Sequence, residues 1–118
     1  QRRANAKLFI ELFKDHPDFL IQKDSGKSSW FGFSLIIKPE SGLKRKAVLK
    51  SLSNNSIECR PIVGGNFVKN DVMKYMDYEI HKQLENADYI DGNGFFVGNS
   101  QKDLHDEISY LAKVLGEK

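Results

Sequence analysis

Apolar side chains recur at helical spacing in three stretches of the chain, which predicts three helices. The stretches are residues 2–14, 43–52 and 100–115. The last opens at Ser100 with Asp103 three residues on, which is the spacing of a capping pair at a helix start. The side chains expected to face inward are Leu8, Phe9, Leu12 and Phe13, then Val48, Leu49 and Leu52, and finally Leu104, Ile108, Leu111 and Leu115.

The strongest strand signal is the run WFGFSLII at residues 30–37. Both faces of this run are largely apolar, which is typical of a central strand with helices on one side and a further layer, such as another domain, on the other. We interpret its aromatic residues as core, and a ligand-stacking platform is the alternative. Alternation gives two faces: Phe31, Phe33, Leu35 and Ile37, and Trp30, Gly32, Ser34 and Ile36.

Shorter strands are predicted at residues 19–22, 57–61 and 95–97, each flanked by turn-forming residues. Asn54 and Asn55 are expected to close the second helix, because asparagine tolerates a left-handed backbone. All of these elements together predict an α+β fold, a small and mostly antiparallel sheet with helices packed chiefly on one face.

The segment before the last strand carries weaker signals. Asn70 is expected to cap a short helix at residues 70–76, whose two methionines should lie in the core. Residues 77–91 have no clean period and predict a brief extended piece followed by a helical turn. Residues 92–94, Gly-Asn-Gly, predict a turn.

Composition limits the classes of protein that fit. The 118 residues suffice for one domain with its own core, and a formal net charge of +2 gives no field that would favour nucleic acid or an acidic membrane. Cys59 is the single cysteine, so no internal disulfide forms, and the three histidines show no metal-ligand spacing. A reducing, cytoplasmic setting fits this usage. No apolar run reaches the roughly 18 residues of a membrane span, and no signal peptide is recognisable.

The candidate binding site lies around Arg60, at a predicted strand exit. Its guanidinium has the donor geometry for a carboxylate or phosphate, and Gly64 and Gly65 follow in a turn where a ligand can approach the backbone. The alternative is a surface arginine followed by an ordinary turn. The predicted substrate-binding residues are Arg60, Asn66, Asn93, Asn99 and Trp30. No catalytic residue and no metal ligand are predicted.

Several stretches, in this order along nearly the whole chain, resemble one family. They are RRAN at residues 2–5, DFLI at 18–21, SWFGF at 29–33, IECRPIVGGNF at 57–67 and NADYIDGNGFFVGN at 86–99. On these residues the chain resembles the C-terminal domain of the sugar aminotransferase and dehydratase family, which is aspartate-aminotransferase-like. Within it the likeness is to the nucleotide-sugar 3-dehydratases of lipopolysaccharide biosynthesis, such as CDP-4-keto-6-deoxyglucose-3-dehydrase. Two departures occur, since Gly64 stands where alanine is expected and Ser100 where histidine is expected.

The resemblance implies a division of labour between two domains of a fold-type I enzyme. A large N-terminal domain would carry pyridoxal or pyridoxamine 5′-phosphate, and residues 1–118 would be a single C-terminal domain that closes over the active site and shapes the sugar pocket. The implied partners are a nucleotide sugar, an amino donor and a second subunit in a homodimer. The chain alone is expected to be inactive and to hold no cofactor, because it lacks the full set of groups that the cofactor needs.

Two alternatives stay open. The chain could be the same domain of a true sugar aminotransferase, because the residue that separates the two activities, histidine or a Schiff-base lysine, would lie upstream. It could also be a freestanding α+β module that binds or regulates through a small molecule. Gln1, Arg2 and Arg3 begin in what reads as mid-helix, which suggests a chain cut from a longer one.

Overall fold

The computed structural model describes residues 1–116, which form four strands packed with four α-helices. The helices are α1 (Arg2–Phe13), α2 (Arg45–Asn54), α3 (Glu85–Asn93) and α4 (His105–Leu115). The strands are β1 (Phe19–Ile21), β2 (Gly32–Ile37), β3 (Cys59–Pro61) and β4 (Gly94–Gly98). Short 3₁₀ turns occupy Pro39–Ser41, Phe67–Lys69 and Asp71–Tyr75.

The strands form one sheet in the order β1-β2-β4-β3, and every neighbouring pair is antiparallel. The central pair is β2 with β4, in a register that places Phe33 opposite Val97 and Leu35 opposite Phe95. These four side chains share one face of the sheet and are all buried. The predicted α+β fold with a mostly antiparallel sheet is confirmed.

Helices α1, α2 and α4 cover that buried face. Phe9 of α1 stacks on Phe33 of the sheet with ring centroids 4.5 Å apart, and on Phe13 at 4.8 Å. Leu52 of α2 and Leu111 of α4 are buried in the same cluster. Helix α3 contributes no buried residue and lies at the end of the sheet, where the Tyr89 hydroxyl donates to the carbonyl of Ile37 at 2.7 Å. The helices therefore pack chiefly on one face, as predicted.

A buried pair of asparagines ties the start of the chain to the end of β4. The Asn99 amide donates to the carbonyls of Arg2 at 3.1 Å and Trp30 at 2.9 Å. Its oxygen accepts from Asn5 Nδ2 at 3.0 Å and from the backbone N–H of Ser100 at 2.9 Å. A primary amide has two donor hydrogens and two acceptor positions, so the side chain of Asn99 is fully satisfied within the chain.

His16 anchors the chain just after the C-terminal end of α1. Its ring is buried next to those of Phe13 and Phe19. Nδ1 accepts from the backbone N–H of Asp18 at 3.1 Å, so Nε2 is the donor to the carbonyl of Gly116, 2.6 Å away. The contact joins the loop after α1 to the residue that follows α4. Nothing in the local sequence pattern around His16 pointed to this long-range role.

The predicted alternation in residues 30–37 is wrong at its first two positions. Trp30 has φ of 54°, a left-handed conformation, and the regular strand begins only at Gly32. The backbone reversal turns Trp30 into the core, where 3% of it is exposed, and turns Phe31 outward, where 73% is exposed. From Phe33 onward the alternation holds.

Other boundaries also differ from the prediction. The left-handed residue after α2 is Ser56, with φ of 58°, and Asn55 has φ of −98°. Helix α4 begins at His105, because the Ser100 and Asp103 side chains accept from the backbone N–H groups of Lys102 and His105 in a loop before it. These side-chain bonds offer the backbone an alternative to the helix.

The region between β3 and β4 is more helical and more exposed than predicted. Gly92 and Asn93, expected in a turn, belong to the last turn of α3, which runs directly into β4. Asn70 does cap a short helix, since its side chain accepts from the N–H of Val72 at 3.0 Å. Met73 is buried as expected, but half of Met76 is exposed, because the segment has no layer above it.

An ion pair anchors this region to α3. Lys69 Nζ lies 2.6 Å from Asp88 Oδ1 and 3.8 Å from Asp91 Oδ2, and Asn66 Nδ2 donates to Asp88 Oδ1 at 2.7 Å. The hydrogen bonds from Lys69 and Asn66 hold the pKa of Asp88 below its ordinary value of 3.8. The same bond raises the pKa of Lys69 above 10.5. Both shifts favour the charged pair in the folded chain.

Replacing Asn99 by alanine should destabilise the protein by about 2–4 kcal/mol, because the Trp30 carbonyl loses a buried hydrogen bond and the Arg2 carbonyl a half-buried one. The Asn5 amide also loses one acceptor but keeps two backbone carbonyls. Calorimetric unfolding of wild type and Asn99→Ala measures this loss. Asn86→Ala is the matched control, since Asn86 is exposed on α3. Equal unfolding temperatures for Asn99→Ala and Asn86→Ala would contradict the structural role of the buried pair.

The ion pair predicts a pH dependence of stability. A lowered carboxyl pKa contributes stability above the unfolded pKa and loses it as the pH falls through the folded pKa. Wild type should therefore unfold at a slightly higher temperature than Lys69→Met at neutral pH, and this difference should vanish as the pH falls below 3.8. Lys50→Met, on the exposed side of α2, is the control. A difference that persists unchanged in acid would refute the pairing.

Candidate functional site

Within residues 1–116, helices α1, α2 and α4 leave the second face of the sheet uncovered, and α3 meets it only at the end near Gly94, where Ile90 lies close to the glycine. Strand register places Ser34, Phe96 and Arg60 in one row across β2, β4 and β3 on this face. Leu20 and Ile36 form a neighbouring pair on the same side. Because alternate residues of a strand point to opposite faces, every one of these side chains lies away from the core. We call this surface the open face.

A cavity of about 420 Å³ lies on the open face beside Arg60. It is bounded by aromatic rings, by one ion pair and by the end of β4. We call it the Arg60 cavity, and its lining residues are Phe31, Glu58, Arg60, Phe96, Gly98 and Asn99.

Arg60 supplies the positive charge of the cavity. Its Nη2 and Nε donate to the same carboxylate oxygen of Glu58, at 2.8 Å and 3.1 Å. The side chains of both residues are largely exposed, at 70% and 79%. Exposed ion pairs contribute little to stability. An incoming carboxylate or phosphate can therefore replace Glu58, or share the guanidinium with it, at small cost.

Two phenylalanine rings form the wall next to Arg60. The centroids of Phe31 and Phe96 are 5.9 Å apart and the rings are tilted by 45°. On their other side lies a second hollow of about 290 Å³, which includes Gln22, Ser34 and Ile62. The pair thus divides the open face into a charged cavity and a more neutral one.

The cysteine of β3 belongs to the opposite side of the strand. Cys59 precedes Arg60 and is half-buried at the margin of the core. Burial raises the pKa of its thiol above 9.0, an effect that Arg45 opposes and Glu58 reinforces. A raised pKa keeps the thiol protonated, so its nucleophilicity is low.

The structure brings two of the five predicted site residues to this cavity, Arg60 and Asn99. Asn99 lines the wall, but its own hydrogen bonds are all made inside the chain. Asn66 is buried against α3, and Asn93 Nδ2 donates to the carbonyl of Tyr89 at 3.1 Å within its own helix. Trp30 lies in the core beside Phe33. Their part in substrate binding stays a prediction.

Sequence reasoning missed four members of the cavity: Phe31, Phe96, Glu58 and Gly98. Glu58 lies two residues before Arg60, and that spacing on an extended segment could have suggested a pair on one face. Phe96 could have been found from its position between Phe95 and Val97 in an alternating strand. Phe31 carried no usable signal, because the left-handed Trp30 before it reverses its direction.

The expectation that this chain alone holds no pyridoxal-type cofactor stays a prediction. Such a cofactor needs a helix start for its phosphate, a carboxylate at its ring nitrogen and a group that stacks on its ring. Helices α3 and α4 carry acidic residues in their first turns, Glu85 and Asp88 in one and Asp106 and Glu107 in the other, which repel a phosphate. Helices α1 and α2 have no acidic residue in the first turn. Within residues 1–116, no group of three or more metal-ligating side chains lies together. No helix in the same range is long and apolar enough to cross a bilayer.

Comparison with known proteins identifies close relatives that are much longer than this chain. This chain is 56% identical over 115 residues to GDP-4-keto-6-deoxy-D-mannose 3-dehydratase of Escherichia coli O55:H7. The match covers 97% of this chain and 30% of the relative. This chain is 30% identical to the lipopolysaccharide biosynthesis protein RfbH of Salmonella typhimurium, covering 83% and 23% of the two chains. The chain thus spans less than a third of the length of these relatives.

Solved structures of related enzymes also match this chain. The E. coli GDP-4-keto-6-deoxy-D-mannose-3-dehydratase with bound hydrated PLP superposes with a TM-score of 0.95 at 56% identity, over 98% of this chain and 30% of that one. A mutant of GDP-4-keto-6-deoxymannose-3-dehydratase with bound GDP-perosamine matches with the same TM-score and identity. A family model matches residues 1–111. The chain therefore belongs to the DegT/DnrJ/EryC1/StrS aminotransferase family.

Proposed function

We propose that this chain is the C-terminal small domain of a longer nucleotide-sugar 3-dehydratase of lipopolysaccharide biosynthesis, dependent on pyridoxal or pyridoxamine phosphate. The identity of 56% to the E. coli enzyme supports the reaction, and the likeness to RfbH supports the biosynthetic setting. The E. coli relative is a GDP-4-keto-6-deoxy-D-mannose 3-dehydratase, and GDP-4-keto-6-deoxy-D-mannose is the proposed substrate here. The 30% share of the relative that the chain covers supports its being one part of that enzyme.

The observation that carries the proposal is the open face with the Arg60 cavity. A sheet face left largely uncovered by helices, with a charged cavity and phenylalanine rings at its surface, is what a domain needs in order to close over a site built by another part of the protein. When bound to the rest of the enzyme, the cofactor supplies the electron sink for loss of the 3-hydroxyl group. This chain's part is to bind an anionic group, to orient it and to exclude water.

Arg60 is the proposed contact residue. Its guanidinium would bind a carboxylate of the amino donor or a phosphate of the nucleotide sugar in a two-pronged contact. Asn99 and Trp30 would support substrate binding without contacting the substrate. The Asn99 amide donates to the Trp30 carbonyl and so fixes the end of β4, which lines the cavity. Asn66 and Asn93 would do so through α3, which both of them stabilise.

The remaining proposals concern the whole protein. We propose a cytoplasmic homodimer whose partners are the nucleotide sugar and the amino donor. The unpaired Cys59 supports the reducing compartment. A sugar aminotransferase is the second candidate, and the family to which the chain belongs supports it. The freestanding module is the weaker reading, because the relatives are more than three times as long as the matched segment.

The complete enzyme tests the proposal directly. With GDP-4-keto-6-deoxymannose, the cofactor and L-glutamate, the amino acid trapped on PLP in a solved structure of the related 3-dehydratase, it should release a 3-deoxy sugar. The present chain alone should release nothing, because it is expected to hold no cofactor. Mass spectrometry of the nucleotide-sugar product distinguishes the candidates. An amino sugar as the sole product would instead establish the aminotransferase, and an unchanged substrate would refute both.

Arg60→Lys in the complete enzyme should reduce kcat/KM about ten- to a hundredfold, because lysine keeps the charge but loses the fork of donors. The unfolding temperature should stay nearly unchanged, since the Glu58 ion pair is exposed. Arg3→Lys is the matched control, because Arg3 is exposed, lies outside the Arg60 cavity and donates to the carbonyls of Lys27 and Ser28. Normal kinetics for Arg60→Lys would refute the anion site.

A further inference from the structure

Two glycines face each other across the central strand pair of the open face. Gly32 of β2 is the register partner of Gly98 of β4. The fold requires a glycine at position 32. A Cβ on Gly32 would lie 2.8 Å from the Phe96 ring and 2.8 Å from the carbonyl oxygen of Val97, so the ring of Phe96 occupies the space that a side chain would take.

No contact within the described chain explains why position 98, Gly98, is a glycine. A Cβ on Gly98 would meet no atom within 4 Å, and Gly98 is not among the glycines with positive φ. A glycine inside a strand weakens the strand, because it costs chain entropy and packs no side chain. A strand glycine free of internal contacts often marks the close approach of a ligand or of another backbone.

The free space above Gly98 is part of the Arg60 cavity. Gly98 lines this cavity together with Arg60, Glu58 and the two phenylalanine rings. The Asn99 amide next to it is committed to the carbonyls of Arg2 and Trp30, so Arg60 is the cavity side chain with donors to offer. The positive charge of Arg60 and the free space above Gly98 therefore lie in the same cavity of the open face.

We propose that Gly98 is the floor of an oxyanion site, and that the anionic group held by Arg60 lies directly over Gly98, in space that a side chain would fill. This inference rests on the function proposed above and names a specificity-determining position for it. The ligand is a phosphate or carboxylate, which the nucleotide sugar or the amino donor could supply. Glu58 is displaced from Arg60 when this group binds.

The test uses the complete enzyme as wild type, Gly98→Ala and Gly98→Val. The readouts are the KM for the nucleotide sugar, the KM for L-glutamate, the dissociation constant of GDP by titration calorimetry, and the unfolding temperature. Gly26→Ala is the matched control, because a Cβ there also meets nothing within 4 Å and Gly26 lies in a loop outside the Arg60 cavity.

The expected result is a rise of about tenfold in one of the two KM values for Gly98→Ala and a larger rise for Gly98→Val, at an unchanged or higher unfolding temperature. If the oxyanion is a phosphate of the nucleotide sugar, that KM rises and GDP binds more weakly. If it is the carboxylate of the amino donor, only the KM for glutamate rises. Gly26→Ala should behave as wild type in every readout.

Three results would overturn the inference. The first is kinetics within about twofold of wild type for both Gly98 variants. The second is a fall of more than about 5 °C in the unfolding temperature, which would assign the glycine to internal packing. The third is an equal rise in both KM values with unchanged GDP binding, which would mean that polypeptide covers Gly98. Lack of 3-dehydratase activity in the wild type would instead refute the proposed function.

Discussion

The four hydrogen bonds of the Asn99 side chain are the constraint on which the rest of this structure depends. They connect the first turn of α1, the backbone before β2 and the segment after β4, three regions far apart in sequence. The bonds to Asn5 and to the Trp30 carbonyl are buried, so these two would be costly to lose. With these three regions fixed, α1 lies across the sheet and the aromatic core of Phe9, Phe13 and Phe33 closes beneath it.

This one-sided core explains the open face. The helices that could have covered the second face, α1, α2 and α4, are all used on the first. Large apolar side chains such as Phe31 and Val63 consequently stay exposed, at 73% and 80%. Exposed aromatic residues around a charged cavity are typical of a surface that meets a ligand or another part of a protein. The proposed role of a closing domain follows from this asymmetry.

Arg60 and its surroundings differ in how firmly they are held. The edge strand β3 has only β4 as a neighbour, and Arg60 is paired with an exposed carboxylate. The walls are firmer, since Phe96 is seated over Gly32 and Asn99 is fully bonded. This arrangement suits the binding and release of an anion, because the cavity walls stay ordered while Glu58 and a ligand compete for the Arg60 guanidinium.

The sequence by itself determined the α+β class, the antiparallel sheet, the positions of most elements and the choice of Arg60 as a candidate site residue. These depend on the periodicity of apolar residues and on the donor geometry of one side chain, which are local properties. The tertiary structure alone decided the outward turn of Phe31, the inward turn of Trp30 and the placement of His16. It also decided which predicted polar residues meet, because Asn66 and Asn93 found partners on α3 while Asn99 reached Asn5, 94 residues away. Such pairings depend on the packing of distant segments, which no local pattern records.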